Sequence, residues 1–335
     1  MSYPTVGLPS AIWSCRFPYC GGMLVHRVCR WLCACGLDRF FFSKTDFPLL
    51  DLGLKEDDLT RCTTDVLSGH HVSIAFTWPS VSRSSGRCYG FAYDCETMRL
   101  LCFLKVAFSK SDRDELQREI KALEWIQSRG SLAVKVPRAL FAKEVSASFA
   151  FGAFELLPEN IKPVCFDRQT WKKQLARIKD SFAGGTCRSV SRSDVERAGW
   201  LARFKEVASS IQTYFEEACQ NGLEVCATHG DMAPHNFCRD DEGLWLFDWE
   251  NFTTEGPALV DELVVYVCVR RFSEKLSYEK MVEEFLRDYP LTDDRIACKV
   301  IQAAAFIVGY RLSYHDDFAR IIEVYGRARR EAHER

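Results

Sequence analysis

The stretch Thr228-His229-Gly230-Asp231-Met232-Ala233-Pro234-His235-Asn236, followed by Leu246-Phe247-Asp248-Trp249-Glu250, decides how this chain reads. The spacing puts two acidic groups and one amide, Asp231, Asp248 and Asn236, on a strand-turn-strand block over Leu223 to Phe252. Phosphoryl transfer needs that set. One carboxylate orients the attacking hydroxyl and accepts its proton, while an amide oxygen and a second carboxylate hold Mg²⁺ against the phosphates. Hard oxygen ligands suit Mg²⁺, whereas a thiolate would not. H-G-D alone recurs by chance. H-G-D-x-x-x-x-N followed by an apolar strand and D-W-E is specific, because a hairpin that merely turned the chain would not need all four positions.

The flanking segments set the layout. His71 to Trp78, Cys88 to Tyr93 and Leu100 to Phe108 are rich in β-branched and aromatic residues and read as an antiparallel meander. A helix starting after Ser111 or Asp112 carries Leu116, Ile120, Leu123 and Ile126 on one stripe and stops at Gly130. Strand candidates at Arg138 to Lys143 and Ser148 to Leu157 follow, the second ended by Pro158. On both sides of the central block the pattern is helical, over Thr170 to Phe182 and Asp194 to Cys219 before it and Ala258 to Arg330 after it. The expected class is α+β and bilobal. An N-terminal extension of short helices covers 1–70, a small antiparallel-sheet lobe with one helix covers 71–158, and a larger helical lobe covers 159–335.

Composition agrees. A chain of 335 residues is long enough for two lobes, and 47% hydrophobic with 27% charged residues suits a soluble globular protein. A net charge of -2 leaves no basic excess for a nucleic-acid backbone, so no nucleic-acid partner is expected. No signal peptide and no uncharged run of about 18 apolar residues is evident. The apolar segment Arg27 to Leu37, with its basic edge and Trp31, would pack on the protein's own body or touch a membrane surface peripherally. Sixteen cysteines in a chain this long point to a reducing cytoplasm and buried free thiols. Cys15, Cys20, Cys29, Cys33 and Cys35 lack the paired spacing of a zinc framework.

The central block resembles the catalytic loop of the aminoglycoside phosphotransferase and choline kinase superfamily, kin to protein kinases, whose loop runs H-R-D-x-x-x-x-N with a later D-F-G. Gly230 stands at the arginine position and Asp248-Trp249-Glu250 at that of D-F-G. The resemblance implies a protein-kinase-like fold and a small-molecule kinase using ATP and Mg²⁺. Asp231 matches the catalytic base, Asn236 and Asp248 the metal ligands, and His229 the residue that braces the loop. Gly256-Pro257-Ala258-Leu259-Val260-Asp261-Glu262-Leu263 is similar to the family's G-D-P-x-x-D-L-A stretch, which makes Asp261 a structural support of the loop.

The same resemblance asks for a lysine on a strand before the first long helix, and Lys105 lies there in an apolar run. A lone lysine among apolar strand residues is costly unless paired. Of Glu115, Glu119 and Glu124, Glu119 lies nearest the centre of the apolar stripe and is the glutamate that can reach a buried lysine. Ser84, Ser85 and Gly86 stand where a glycine-rich loop would cover the phosphates, with Arg83 or Arg87 adding charge. Ala150 to Pro158 looks like the inter-lobe hinge, with adenine bonded to backbone near Glu155 and Leu157.

Gly230 and the short run from Asp248 to Gly256 leave no obvious switch loop for phosphorylation to order, so a small acceptor is expected rather than a protein. A sugar, polyol or glycan precursor is the leading acceptor, with an aminoglycoside or choline-type amino alcohol as the alternative. The poor phosphate loop supports a second class, a pseudokinase or nucleotide-binding interaction module. Retention of Lys105, Asp231, Asn236 and Asp248 argues against it, since binding alone needs no base.

Overall fold

The computed structural model describes residues 63–64, 67, 72–77, 87–97, 99–130, 132–146, 149–158, 160–164, 170–183, 187–191, 193–194, 209–220, 222–310 and 315–334. They form two compact units. The first draws its described residues from Met1–Gly130, Val134–Val164 and Phe237–Glu250; the second draws them from Ser131–Ala133, Cys165–Asn236 and Asn251–Arg335.

The first unit is built on an antiparallel sheet of β1 (Val72–Thr77), β2 (Arg87–Asp94), β3 (Leu100–Ala107), β4 (Ala139–Ser146) and β5 (Phe149–Phe154), in the order β1-β2-β3-β5-β4. Alternation sorts β3 into two faces. Cys102, Leu104 and Val106 join Val72, Ile74, Ala92, Phe151 and Ala153 in an apolar core, so Lys105 points to the other face. That face carries helix α1 (Lys110–Gln127), whose buried residues are Leu116, Glu119, Ile120, Ala122, Leu123 and Ile126. Gly152 pairs with Lys105 across the β3–β5 ladder. A Cβ there would meet Leu116 at 3.2 Å and the Phe154 ring at 3.1 Å, so the glycine lets α1 lie close beside the lysine. The helix is capped by Ser109, whose hydroxyl accepts the Asp112 N–H at 3.1 Å. The cap therefore lies ahead of Ser111 and Asp112, because Asp112 occupies the third helical position, where its carboxylate meets the same hydroxyl.

A small second sheet completes this unit, with β6 (Lys162–Pro163), β9 (Phe237–Arg239) and β10 (Leu244–Leu246) in the order β10-β9-β6. The β9–β10 turn is held by Asp240, which accepts the N–H groups of Glu242 (2.8 Å) and Gly243 (2.7 Å). Lys135 fastens the hairpin through its own main chain. Its N–H donates to the Leu244 carbonyl at 2.7 Å, and its carbonyl accepts the Leu246 N–H at 2.9 Å.

In the second unit β7 (Arg188–Val190), β8 (Leu223–Thr228) and β11 (Thr253–Pro257) make an antiparallel sheet in the order β11-β8-β7. Its helices are α2 (Thr170–Ala183), α3 (Ser209–Ala218), α4 (Val260–Val267), α5 (Tyr278–Asp288), α6 (Asp294–Tyr310) and α7 (His315–His333). A π-helical turn, Cys268–Ser273, follows α4, and Pro290 lies in the break before α6, so Ala258 to Arg330 is several helices rather than one. Aromatic rings hold their core: Tyr266 packs on Phe285 at 5.1 Å and on Trp171 at 6.2 Å, and Phe285 packs on Tyr325 at 5.7 Å. No helix among the described residues is long and apolar enough to cross a membrane. The segment 1–50, with Trp31 and its cysteines, lies outside the described residues.

Candidate functional site

Chemistry-bearing residues gather in both units. In the first, Lys105 Nζ lies 2.8 Å from each carboxylate oxygen of Glu119 and 3.1 Å from Asp248 Oδ1. Lys105 and Glu119 are 8% and 3% exposed, so neither is solvated well enough to stand alone. Burial works against the charge on Lys105, but Glu119, Asp248 and Glu250 outweigh it and raise its pKa. Burial also raises the Glu119 carboxyl; Lys105 pulls it down, while Asp248 and Glu250 add to the rise. The lysine is thus a fixed cation under an excess of negative charge.

Asp248 reaches that position from a left-handed backbone, φ 68°. An aspartate tolerates this conformation better than a β-branched residue would, at a cost of order 1–3 kcal/mol. The next turn is short and helical, Trp249–Asn251, and its Trp249 ring is fully buried. Oxygen atoms of Glu119, Asp248 and Glu250 all lie within 4.8 Å of one another.

Arg87, at the start of β2, is also buried. Its Nη1 donates to Glu250 Oε2 and its Nη2 to Glu115 Oε2, each at 2.5 Å, and its Nε lies 3.5 Å from Asp112 Oδ1. Burial opposes the guanidinium charge, yet Glu250 and Glu115 hold it protonated. Its two terminal nitrogens thus hydrogen-bond to carboxylates, while Nε has only the 3.5 Å ion-pair contact with Asp112. The sequence offered Arg83 or Arg87 as added charge for the phosphates; the Arg87 guanidinium is engaged by these carboxylates. Glu115, at the margin of the helical stripe, meets this arginine instead of the lysine. Ser84, Ser85, Gly86 and Arg83 lie outside the described residues.

In the second unit β8 delivers the loop from His229 to Asn236. Gly230 has φ +77°, and a Cβ on it would come within 2.5 Å of the Asn251 carbonyl oxygen, so only glycine fits. Asp261, fully buried on the first turn of α4, accepts the N–H groups of His229 at 3.0 Å and Gly230 at 2.9 Å. Burial lifts its carboxyl to about 7, with Glu262 adding to the rise and Lys179 and the two N–H donors opposing it. His229 Nδ1 accepts the Asp231 N–H at 3.2 Å, which puts any proton of the neutral ring on Nε2. Asn236 donates from Nδ2 to Asp231 twice, to its main-chain oxygen and to Oδ2, both at 2.9 Å. Its amide oxygen is the atom left to meet a cation. His235 is half-buried on the 3₁₀ turn Pro234–Asn236.

Glu155 and Leu157, the residues expected near adenine, differ. The Glu155 N–H donates to the Arg138 carbonyl at 2.9 Å, and its carboxylate pairs with the Arg138 side chain at 3.2 Å. Leu157 is partly buried against Ile161, Cys238 and Trp245. The sequence reading gave Glu250 no role and did not foresee the carboxylate partners of Arg87. The available signal was an acid two residues after Asp248 and an arginine opening an apolar strand.

A five-stranded antiparallel sheet with a helix-borne glutamate on its lysine, followed by a mainly helical unit with an H-G-D-x-x-x-x-N loop, defines an α+β, protein-kinase-like fold. Solved structures agree. Aminoglycoside phosphotransferase APH(4)-Ia overlays with a TM-score of 0.52 at 14% identity, over 82% of this chain and 99% of that one. A thermostable mutant of it, in ternary complex with ADP and hygromycin B, gives 0.52 at 12% identity, over 81% and 98%. The chain thus has the fold of the aminoglycoside phosphotransferases. No family profile matches it, and no curated protein matches it in sequence.

Proposed function

We propose that this chain is an ATP-dependent phosphotransferase that moves the γ-phosphate of ATP to a hydroxyl of a small molecule. The observation that carries the reading is Lys105, buried and shared between Glu119 and Asp248. A fixed ammonium of this kind can orient phosphate oxygens. A purely structural role would not need a second carboxylate on a strained turn.

Asp231 is the base. Its backbone and side chain are fixed by His229 and Asn236, so its carboxylate can hold an acceptor hydroxyl in line with the phosphorus and take its proton late. Asn236 and Asp248 supply hard oxygens that suit Mg²⁺, which when bound would neutralise charge on the β- and γ-phosphates. Asp261 supports the loop by holding two of its N–H groups. With the Glu155 N–H engaged by Arg138, adenine would meet the Glu155 carbonyl and the Leu157 backbone. Ser84, Ser85 and Gly86 would cover the phosphates.

A sugar or polyol is the proposed acceptor. Aminoglycosides and amino alcohols belong in the same panel, since APH(4)-Ia has been crystallised with hygromycin B. The eight described free cysteines fit a cytoplasmic location. The test is ATP consumption with Mg²⁺ against sugars, polyols, amino alcohols and aminoglycosides, comparing wild type with Asp248→Ala. Acceptor-dependent turnover lost in the variant supports the reading. Full turnover in Asp248→Ala sinks the metal assignment, and nucleotide binding without turnover on any acceptor favours a pseudokinase.

A further inference from the structure

Four side-chain contacts in the first unit close into a circuit. Arg87 holds Glu115 and Glu250 at 2.5 Å each. One helical turn beyond Glu115 on α1, Glu119 holds Lys105 at 2.8 Å, and Lys105 holds Asp248 at 3.1 Å, two residues before Glu250. A second tie runs beside it, since Arg118 Nε on α1 donates to the main-chain oxygen of Glu250 at 3.3 Å. The Arg87 side chain is 2% exposed and that of Glu250 5%. Buried ion pairs add little net stability compared with apolar residues of the same shape, so stability alone gives no reason for this one. A planar fork reaching two carboxylates on different elements does give a reason, because it fixes the distance between them.

We infer that Arg87 is a positioning residue: by gripping helix α1 and the Asp248-Trp249-Glu250 turn together, it sets where Lys105 and Asp248 stand for nucleotide and metal. The inference rests on the phosphotransferase reading. Arg87 touches neither phosphate nor metal in this role; it acts through Glu119 and Asp248. Glu250 is correspondingly a partner of arginine and not a metal ligand. A lysine at position 87 would keep the charge but not the planar fork, so it would not hold the two carboxylates at a fixed separation.

The test uses the full chain, with ADP and Mg²⁺ as probes. ADP affinity is measured by calorimetry with and without Mg²⁺, and the Mg²⁺-linked gain reads the placement of Asp248 without turnover. Thermal midpoints are recorded alongside. Loss of an outer-shell partner typically costs about 10- to 100-fold in metal affinity. Arg87→Lys should lose about that much of the Mg²⁺-linked gain, with a parallel fall in kcat once an acceptor is known. Glu115→Gln, a milder variant at a partly exposed position, should lose less in the same direction and stands in if Arg87→Lys does not fold. A lowered thermal midpoint with the gain intact in either folded variant overturns the inference and leaves Arg87 purely structural. A wild-type chain that binds no ADP overturns the nucleotide reading itself, whereas one that binds ADP with no Mg²⁺-linked gain overturns this inference.

Discussion

Replacing Lys105 by methionine removes the cation that Glu119 is built against. Methionine matches the lysine stem in length, so the space stays filled and the loss is mainly electrostatic. Glu119 is 3% exposed and would remain in place without a counter-charge, whereas Asp248, with a side chain 27% exposed, can be hydrated. An uncompensated buried charge costs about 3–5 kcal/mol. Protonation sets the ceiling. An ordinary glutamate titrates near 4.3, so neutralising it at pH 7 spans about 2.7 pH units at about 1.36 kcal/mol each, or about 3.7 kcal/mol. At pH 5 the same step costs about 1 kcal/mol. The sign follows. Burial already raises this carboxyl in the native protein, and loss of Lys105 removes what pulled it down. The folded variant then takes up a proton that the unfolded chain lacks, and its stability rises as pH falls from 7 to 5. Urea denaturation of wild type and Lys105→Met at pH 5, 6 and 7 should show the difference shrinking from about 3.7 to about 1 kcal/mol. Adding Glu119→Gln to Lys105→Met should recover most of the loss at pH 7. A difference independent of pH, or no recovery in the double variant, refutes the argument that Lys105 neutralises a buried Glu119.

Asp231→Asn should lower kcat by about 10²- to 10⁴-fold with little change in the KM for ATP, while His235→Ala keeps substantial turnover; the reverse pattern would make His235 the base. Gly230→Ala forces a side chain into a left-handed backbone and onto the Asn251 carbonyl, so it should cost about 1–2 kcal/mol or more and depress turnover; unchanged thermal stability would contradict the loop geometry. Asp261, lifted to about 7 when folded, takes up a proton that the unfolded chain releases near 3.9, so stability should fall as pH rises from about 4 to 7. Asp261→Asn should flatten that slope, and an identical slope would show that the two N–H donors keep the carboxylate charged throughout.

The parts of the fold and site that could be read in the sequence were those carried by local periodicity and spacing. Lys105 stood out as a lone lysine in an apolar strand that needs a partner, and the 3.6-residue stripe of α1 singles out Glu119 over Glu115 and Glu124. The H-G-D-x-x-x-x-N spacing put Asp231 and Asn236 within one turn, where the structure joins them by hydrogen bonds at 2.9 Å. Local order erred by small steps where two residues compete, as at the α1 cap, where Ser109 supersedes Ser111 and Asp112. The three-residue β7 was not anticipated, since its pairing with β8 is made by residues far along the chain.

Tertiary structure decided what long-range contacts decide. The hairpin Phe237–Glu250 follows the His229–Asn236 loop in sequence, yet it belongs to the first unit, because Lys135 bonds its strand edge and Trp245 packs with Ile161 and Cys238. That placement brings Asp248 to Lys105 across 143 residues and Glu250 to Arg87 across 163. Neither separation leaves a periodic trace in the sequence. An arginine opening a strand looks like a surface charge until the acids that bury it are in place. The types of group, and the face of α1 that Glu119 occupies, followed from the chain alone; which charges meet depended on packing, since a buried ion pair forms only where the fold removes both partners from water together.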